Sequence, residues 1–232
     1  MNFFWKDIIH PILQRTAPLS IIEIGCAQGY NTMHLLEVAQ AHQGKLTVID
    51  PYPQFDTELA KSKYGTAVEI IRDYSLNRLP SIMEADVVLI DGDHNWYTVY
   101  HELKYLDRYE AFPLVFLHDT EWPYARRDMY YFPDSIPEAY RQPNERKGML
   151  PGINELIEGG HNETVWNAKH EYGPRNGVLT AVEDFLSETS HTLRMHHLPL
   201  QHGLSIIASN RSQQEQELHA FIQETIRTFW TP

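Results

Sequence analysis

Two groups of acidic and imidazole side chains in this sequence suit proton transfer or metal binding. Asp91, Asp93 and His94 directly follow one short apolar segment, and His118 and Asp119 directly follow another. Histidine exchanges protons near neutral pH, and carboxylates and imidazoles both bind divalent cations. If both apolar segments are strands of one parallel sheet, they end at the same edge, and the five side chains form one cluster.

A second chemical feature is the turn Glu23-x-Gly25-x-x-x-Gly29, followed by Asp50 at the end of the next apolar segment. Glycine lets the backbone approach a ligand closely, and the N–H groups that begin the following helix can bind a carboxylate. The Asp50 carboxylate suits a vicinal diol. A dinucleotide fingerprint would require glycine at Ala27, so a nicotinamide oxidoreductase is a distant alternative, and a purely structural turn is another.

Alternating strand and helix patterns supply the sheet that would position these residues. Short β-branched or apolar segments predict strands, and apolar residues three and four positions apart predict helices. The predicted strands cover residues 20–25, 45–50, 68–71, 85–90 and 113–117, with a hairpin of 193–198 and 204–208, and the main predicted helices cover 31–42, 96–106, 178–186 and a last segment after a capping box at 212–215. This order predicts an α/β fold with a Rossmann-like, doubly wound, mostly parallel sheet and an antiparallel edge hairpin.

The chain is predicted to be a single domain over residues 1–232, with a leading helix in 1–16 and an insertion in 121–177. Periodicity is lost in the insertion, which predicts an inserted cap or substrate loop after the fifth strand. Aromatic rings stack on sugars or flat substrates, and arginine binds carboxylate or phosphate. The predicted substrate-binding residues are Trp122, Tyr124, Arg126 and Arg127. A subunit contact is the alternative, so a homo-oligomer stays open.

The composition excludes several classes of function. With 19 basic and 31 acidic residues among 232, the formal net charge is −12, which disfavours nucleic acid and anionic membranes as partners and favours a small-molecule substrate. No apolar segment reaches the ~20 residues that a membrane-spanning helix needs. The single cysteine excludes an internal disulfide framework, and the start of the sequence lacks a basic leader, so we expect a cytoplasmic protein.

The glycine turn and Asp50 resemble the first two motifs of the class I S-adenosylmethionine-dependent methyltransferases, and the resemblance covers residues 20–120 best. It implies that the turn passes under the methionine part of the donor, that Glu23 helps to hold the ammonium group, and that Asp50 accepts hydrogen bonds from the ribose hydroxyls. Packing of the cysteine in the turn and solvation of the loop after the third strand are alternatives to further donor contacts. The predicted donor-binding residues are Glu23, Gly25, Cys26, Gly29, Asp50, Asp73, Ser75 and Asp91.

The acidic and imidazole groups resemble those of the metal-assisted small-molecule O-methyltransferases, including enzymes that act on sugar hydroxyls of antibiotics. There the fourth strand ends in Asp-Gly-Asp and the fifth in paired acids, which implies that Asp91 and Asp119 bind Mg²⁺ or a similar divalent cation. Here His118 replaces one of the paired acids, and imidazole suits zinc, iron or nickel better than magnesium. The predicted proton acceptors are Asp93, His94 and His118. Helix capping by Asp91 and Asp93 and a buried, hydrogen-bonded His118 are the structural alternatives.

Together these features predict an enzyme that transfers a methyl group from S-adenosylmethionine to a hydroxyl of a small molecule, such as a sugar or natural-product intermediate. An alcohol is a poor nucleophile until its proton is removed, which a base or a bound cation assists. A metal-free N- or O-methyltransferase with a histidine base is the first alternative. A methyltransferase-fold subunit that binds donor or partner without turnover is the second.

Overall fold

A seven-stranded, mostly parallel sheet forms the centre of the protein, whose computed structural model describes residues 1–230. The strands in chain order are β1 (Ser20–Ile24), β2 (Lys45–Ile49), β3 (Val68–Ile71), β4 (Val87–Ile90), β5 (Leu114–His118), β6 (Met129–Tyr130), β7 (Asn144–Glu145), β8 (Trp166–Ala168), β9 (Leu193–Leu198) and β10 (Leu204–Ser209). The central sheet has the order β3-β2-β1-β4-β5-β10-β9. β1 to β5 are parallel, and β10 is antiparallel to both β5 and β9.

Helices lie on both faces of this sheet. They are α1 (His10–Thr16), α2 (Tyr30–Ala41), α3 (Thr57–Tyr64), α4 (Ser75–Arg78), α5 (Trp96–Leu106), α6 (Val178–Glu188) and α7 (Gln213–Trp230). The predicted leading helix is divided, because a 3₁₀ turn at Asn2–Phe4 and a π-helical turn at Trp5–Ile9 precede α1. The predicted capping box begins α7, where Glu215 N donates to Ser212 Oγ and Ser212 N donates to Glu215 Oε2. Within residues 1–230, none of the helices has the length and apolarity of a membrane span.

The register of the parallel strands places their carboxyl ends side by side. Ile24, the last residue of β1, pairs with Ile49 of β2 and with Ile90 of β4. Ile90 in turn pairs with Leu117 of β5. The residues that directly follow these strands therefore emerge at one edge of the sheet, which is how side chains distant in sequence reach one crevice.

Two apolar layers cover the sheet and confirm the predicted doubly wound fold. One layer includes Leu35 of α2 and Ile222 of α7, and the other includes Leu103 of α5 and Phe185 of α6. All four residues of β4 are buried, as expected for a central parallel strand that is covered on both sides. The predicted antiparallel hairpin at the sheet edge is the pair β9–β10.

The insertion of residues 121–177 contains a small antiparallel sheet of order β6-β8-β7, which the sequence analysis did not predict. Asp128 joins this insertion to two helices. Its Oδ1 accepts hydrogen bonds of 2.7 Å from Trp96 N at the start of α5 and from Gly177 N just before α6. One carboxylate thus satisfies N–H groups at the start of both helices, which otherwise lack intrahelical partners. The predicted cap is therefore an ordered layer attached to the central fold.

Candidate active site

The turn after β1 lies against the backbone that follows β4. Gly25 has φ +82°, and a Cβ atom there would lie 2.4 Å from Gly92 Cα. Gly29, just before α2, has φ +81°, and a Cβ there would lie 2.7 Å from the Phe55 ring. Glycine alone combines the left-handed conformation with such close approach. Both glycines of the predicted donor motif are therefore required by the backbone itself, in addition to any role towards a ligand.

Asp50, at the end of β2, organises this turn. Its Oδ2 accepts hydrogen bonds from Cys26 N at 2.8 Å, Cys26 Sγ at 3.2 Å and Ala27 N at 3.3 Å, and its Oδ1 accepts one from Tyr52 N at 2.7 Å. Both oxygens thus have protein partners, although a carboxylate has about four acceptor positions in all. The predicted contact with ribose hydroxyls stays a prediction, and the link from Asp50 to the glycine turn is a role that the sequence analysis missed.

Glu23 and Cys26 are buried, which does not favour direct contact with a ligand. Glu23 lies in β1, is 2% exposed, and accepts a hydrogen bond of 2.6 Å from Thr32 Oγ1 on α2. Burial raises the Glu23 pKa to about 8, and burial also raises the pKa of the Cys26 thiol. The predicted role of Glu23 towards the donor ammonium would therefore act through the field in the crevice.

The residues after β3 have local structural partners. Asp73 is exposed and accepts hydrogen bonds from Asn77 Nδ2 and Tyr74 N. Ser75 begins α4 and donates to Glu102 Oε1 at 2.5 Å, and Glu102 is fully buried on α5. Burial raises the Glu102 pKa to about 8. Glu102 was not predicted, because it looked like one more charged residue on an amphipathic helix.

Side chains from the ends of β4 and β5 meet in one group, the strand-end cluster of Asp91, His94, His118 and Asp119. Asp119 Oδ2 lies 3.0 Å from His94 Nε2 and 2.9 Å from His118 Nδ1. His118 Nδ1 also lies 3.2 Å from Asp91 Oδ1, while Asp91 Oδ2 lies 3.1 Å from the amino group of Met1. The structure thus brings together four of the predicted metal-binding and catalytic residues.

Within this cluster, His118 is held as a doubly protonated cation. Its Nδ1 faces the carboxylates of Asp91 and Asp119, and its Nε2 lies 3.0 Å from the carbonyl oxygen of Gln201. All of these groups only accept hydrogen bonds, so both ring nitrogens must donate. Burial opposes protonation of His118, but its hydrogen bonds to Asp119 and Asp91 outweigh this and raise the pKa to about 9. A ring with no free lone pair does not fit the predicted role of base, and His118 instead positions two carboxylates.

Asp119 also orients His94. Asp119 has φ +59°, a left-handed conformation that is uncommon for a residue other than glycine and is concentrated at functional sites. Burial opposes protonation of His94, but the charge and hydrogen bond of Asp119, together with the charges of Asp91 and Asp93, outweigh it and raise the His94 pKa to about 9. Burial alone would raise the Asp119 pKa, whereas His94 and His118 hold it well below its ordinary range. The pair is a carboxylate that fixes the position and protonation of an imidazole.

Asp93 is bonded to α5 and is not part of the strand-end cluster. Its Oδ2 accepts a hydrogen bond of 3.0 Å from Thr98 Oγ1, and burial raises the Asp93 pKa. Asn95 caps α5 by accepting a hydrogen bond of 2.9 Å from Thr98 N. The structural alternative, capping by Asp91 and Asp93, is therefore wrong in detail, and the predicted role of Asp93 as a base is not supported by these contacts.

Two predicted substrate-binding arginines are occupied by the protein itself. The Arg127 guanidinium is fully buried and donates to the carbonyl oxygens of Ala168 and Asn154 at 2.5 and 2.6 Å. Arg126 forms a two-contact ion pair with Glu183 of α6, at 2.5 and 2.7 Å. Neither arginine is available to bind a substrate in this arrangement, so both contacts correct the prediction. Both arginines follow Asp119 closely in the sequence, but this proximity does not indicate which way their guanidinium groups point.

Aromatic residues of the insertion do approach the strand-end cluster. The Tyr124 ring centroid lies 5.3 Å from that of His94, and the Tyr124 hydroxyl accepts a hydrogen bond from Asn162. The ring of Trp122 lies 5.3 Å from that of His161. Tyr131, which was not predicted, is half-exposed with its ring 6.2 Å from His94. The run of aromatic residues after Asp119 was the available signal for Tyr131.

Residues 22–120 match a family model described as a methyltransferase domain. This segment runs from β1 to just after β5 and contains the glycine turn, Asp50 and the strand-end cluster. No curated protein matches the sequence. The match agrees with the predicted methyltransferase motifs of this segment, which is less than half of the chain.

Solved structures share the fold at low sequence identity. A methyltransferase from Podospora anserina bound to S-adenosylhomocysteine has a TM-score of 0.53 and 17% identity, over 88% of this chain and 76% of that one. A Staphylococcus aureus protein provisionally described as a caffeoyl-CoA O-methyltransferase has a TM-score of 0.50 and 14% identity, over 87% and 81%. A Corynebacterium glutamicum protein has a TM-score of 0.50 and 12% identity, over 87% and 80%. These similarities show the fold.

Proposed function

We propose that this chain transfers a methyl group from S-adenosylmethionine to a hydroxyl oxygen of a small molecule, since residues 22–120 match a methyltransferase-domain family model. The observation that carries the proposal is the convergence of Asp91, His94 and Asp119 at the carboxyl edge of the sheet, where their ligand or proton-accepting atoms lie within 4.8 Å of one another. A hydroxyl needs help to lose its proton, whereas a thiolate or a neutral amine needs less.

The donor is proposed to lie along the ends of β1 and β2. The backbone of the glycine turn would border its methionine part, and Asp50 has acceptor positions left for the ribose hydroxyls. The carboxylates of Asp50 and Asp91 both lie near Glu23, whose pKa their negative charges help to raise. Their field favours a cationic sulfonium in the crevice.

A divalent cation fits the donor set of the cluster. Two carboxylates and one imidazole can each offer one ligand atom, and these atoms lie within 4.8 Å of one another. This mixed set suits zinc, iron, nickel or manganese as well as magnesium. His94 joins the two predicted ligands, Asp91 and Asp119. A bound cation would lower the pKa of a substrate hydroxyl and fix two adjacent substrate oxygens. His118 would hold both carboxylates in place through its Nδ1.

Adjacent hydroxyl groups that match two ligand positions are characteristic of sugars and polyhydroxylated natural products, which we propose as the acceptor class. The net charge of −12 disfavours polyanionic acceptors. Tyr131 and Tyr124 place ring faces beside His94, and such faces pack well against a sugar ring or a flat acceptor. We propose a cytoplasmic location for this small-molecule chemistry.

A metal-free O-methyltransferase is the second candidate, because Asp119 binds His94 as an orienting carboxylate binds a catalytic histidine. With Nε2 held by Asp119, Nδ1 is the nitrogen of His94 that could accept the hydroxyl proton, and only in the neutral form of the ring, which its pKa of about 9 makes dominant above that pH. The two candidates assign His94 different roles, as ligand or as base. They differ in whether methyl transfer survives removal of divalent cations.

The proposal is tested in two steps with the full chain. Isothermal titration with S-adenosylhomocysteine should show one site, and radiolabelled methyl groups should pass from the donor to a mixture of sugars and polyhydroxylated compounds. Asp91→Asn should abolish transfer, whereas Asp134→Asn, an exposed site in the insertion, should not. Transfer that survives exhaustive chelation would favour the metal-free candidate. Absence of binding at about 1 mM ligand would contradict the proposal, since donor affinities of enzymes are commonly micromolar.

A further inference from the structure

A cavity of about 310 Å³ lies outside the crevice described above, between α5, α6 and the insertion. Its walls include Trp96 and Tyr100 of α5, Tyr140 and Arg175 of the insertion, and Asp184 and Glu188 of α6. The volume is at the lower end of the range for small-molecule sites. Nothing in the proposed methyl transfer uses these residues.

One wall of the cavity is a stack of aromatic rings. The ring of Trp96 is parallel within 11° to that of Tyr100, at 4.5 Å between centroids, and parallel within 8° to that of Tyr140, at 6.0 Å. Trp96 is buried, and its Nε1 donates to Asp184 Oδ2 at 2.7 Å. The ring faces are thus fixed in orientation before any ligand arrives, which lowers the entropy lost on binding.

Arg175 is held over this stack in a strained conformation. Its guanidinium carbon lies 5.4 Å from the Trp96 ring centroid and 5.1 Å from that of Tyr140. Arg175 has φ +55°, which is unfavourable for a residue other than glycine. Gln142 Nε2 donates to its carbonyl oxygen at 2.9 Å and so supports the strained turn. Strain of this kind is often found where a side chain must be placed for binding.

The charges around the cavity do not neutralise one another. Among the described residues Arg175 forms no ion pair, although Asp184 and Glu188 line the same cavity. Each carboxylate instead accepts a hydrogen bond from a neutral ring donor, Asp184 from Trp96 and Glu188 from the Tyr100 hydroxyl. A cationic group and two anionic groups therefore face one cavity from different sides, with an aromatic wall beside them.

We propose that this cavity is a binding site for a free α-amino acid with an aromatic or large apolar side chain. The ligand carboxylate would pair with Arg175, whose fork of N–H groups matches two oxygens. The ligand ammonium would pair with Glu188 and Asp184, and its side chain would pack on the half-buried rings of Tyr100 and Tyr140, which stack on Trp96. A ligand with only one of the two charges would leave part of this arrangement unpaired.

The cavity is connected to the strand-end cluster through the start of α5. Trp96 N is bound to Asp128, and the next residue of the insertion, Met129, donates its N–H to the carbonyl oxygen of His94 at 2.9 Å. A ligand that packs on Tyr100 and Tyr140, the two rings stacked on Trp96, therefore contacts a segment that also holds His94. The site is nevertheless separate from the donor crevice, so its test does not depend on methyl transfer.

The test uses the full chain saturated with S-adenosylhomocysteine, and L-phenylalanine as the probe, followed by titration calorimetry and tryptophan fluorescence. L-Phenylalanine should bind one site at least about ten-fold more tightly than 2-phenylethylamine, which lacks the carboxylate, and 3-phenylpropionate, which lacks the ammonium. Arg175→Gln should remove the preference over 2-phenylethylamine. Glu188→Gln, which keeps an acceptor for Tyr100, should remove the preference over 3-phenylpropionate.

Arg146→Gln is the matched control, because Arg146 is also exposed and lies over an aromatic ring, 5.0 Å from the Trp166 centroid. This variant should bind L-phenylalanine as the wild type does. The proposal is overturned if no binding occurs at about 10 mM, well above the affinity of a specific small-ligand site. It is equally overturned if the three probes bind alike, if both arginine variants behave alike, or if S-adenosylhomocysteine competes, which would place the amino acid in the donor crevice.

Discussion

The strand-end cluster and the insertion are both rich in charged residues, but they use their charges differently. In the cluster, Asp91 and Asp119 face imidazole nitrogens at 2.9 to 3.2 Å, at an edge where the backbone leaves the sheet. In the insertion, Arg127 binds carbonyl oxygens and Asp128 binds N–H groups of two helices. The first arrangement pairs side chains that can exchange partners, and the second satisfies main-chain groups that have no other partner.

This difference separates the residues that we propose for chemistry from those that hold the structure. A carboxylate paired with an imidazole can exchange this partner for a proton, a cation or a substrate. The exchange leaves no backbone group without a hydrogen-bond partner. A buried guanidinium bound to carbonyl oxygens cannot move without leaving those carbonyls unpaired, at a cost of about 1–3 kcal/mol each. We therefore expect substitutions in the cluster to change ligand binding and transfer, and substitutions in the insertion to change stability.

The largest effect is expected for Asp119→Asn. This change removes the charge that faces both His94 and His118. One proposed metal ligand is lost, and His94 loses the carboxylate that orients it. Methyl transfer should fall by about 10³-fold or more, since groups of this kind commonly contribute that much. The rate at which radiolabelled methyl groups pass from the donor to the acceptor measures this loss. Asp134→Asn, on an exposed side chain of the insertion, should keep the wild-type rate, and equal rates in the two variants would remove the functional distinction between the regions.

The next effect is expected for Gly25→Ala, which acts on both stability and donor binding. Its Cβ atom would lie 2.4 Å from Gly92 Cα, in a left-handed conformation with φ +82°. We expect a loss of about 3 kcal/mol in the free energy of unfolding and weaker binding of S-adenosylhomocysteine. Gly65→Ala is the matched control, because Gly65 has φ +56° but no atom within 4 Å of the added Cβ. The Gly65 variant has the cost of a side chain at positive φ but no steric clash. A similar loss of unfolding free energy in both variants would show that the contact with Gly92 is unimportant.

Arg127→Gln should show the opposite behaviour to Asp119→Asn. Its shorter amide cannot reach both Ala168 O and Asn154 O, so we expect a loss of about 2–4 kcal/mol in the free energy of unfolding. Affinity for S-adenosylhomocysteine should stay as in the wild type. Denaturant unfolding and calorimetry measure the two quantities. Arg141→Gln, which removes an ion pair with the fully exposed Asp134, should cost less than about 0.5 kcal/mol. An Arg127 variant of normal stability and normal S-adenosylhomocysteine affinity but slower methyl transfer would restore the predicted substrate role.

The positions of the strands followed from the sequence because their pattern is local. The segments predicted at residues 20–25 and 113–117 differ by one residue from β1 and β5, and the parallel register then places their ends together. The cluster could be predicted for the same reason, since topology alone brings Asp91 and Asp119 to one edge. His94 was found as well, although its contact with Asp119 depends on a left-handed backbone that no spacing indicates.

Side-chain direction in the insertion could not be predicted in this way. Adjacent arginines at positions 126 and 127 have opposite environments, one half-exposed against Glu183 and one fully buried. The burial depends on long-range contacts with Asn154 and with Ala168 of β8, which come together only when the chain has folded. Helical periodicity failed for Glu102 for a related reason, since it lies on the buried face of α5 beside Leu103.

Glu102 lies in neither the strand-end cluster nor the insertion. Its replacement is expected to have the smallest effect on donor binding and methyl transfer. Burial raises its pKa from 4.5 to about 8 in the folded protein, so the fold favours the protonated carboxyl. This contribution to stability is present below about pH 4.5 and is lost as the pH rises towards 8, because the unfolded chain then releases the proton first. Glu102→Gln is neutral at every pH and can still accept from Ser75. We expect it to be close to the wild type near pH 5 and to exceed it by at least about 1 kcal/mol near pH 9, since each unit of the pKa shift corresponds to about 1.4 kcal/mol.

Thermal unfolding of both proteins across this pH range measures the difference. Glu84→Gln serves as the control, because Glu84 is exposed and should leave the curve unchanged. Glu23 and Asp128 also have pKa values raised by burial, to about 8 and about 7, so the variant should keep part of the wild-type decline. Donor affinity should change little, since the hydrogen bond of Glu102 goes to Ser75 of α4 and not to Asp50 or the glycine turn. A parallel decline in Glu102→Gln and the wild type would mean that the carboxyl is already ionised in the folded protein, and that its unpaired oxygen is solvated.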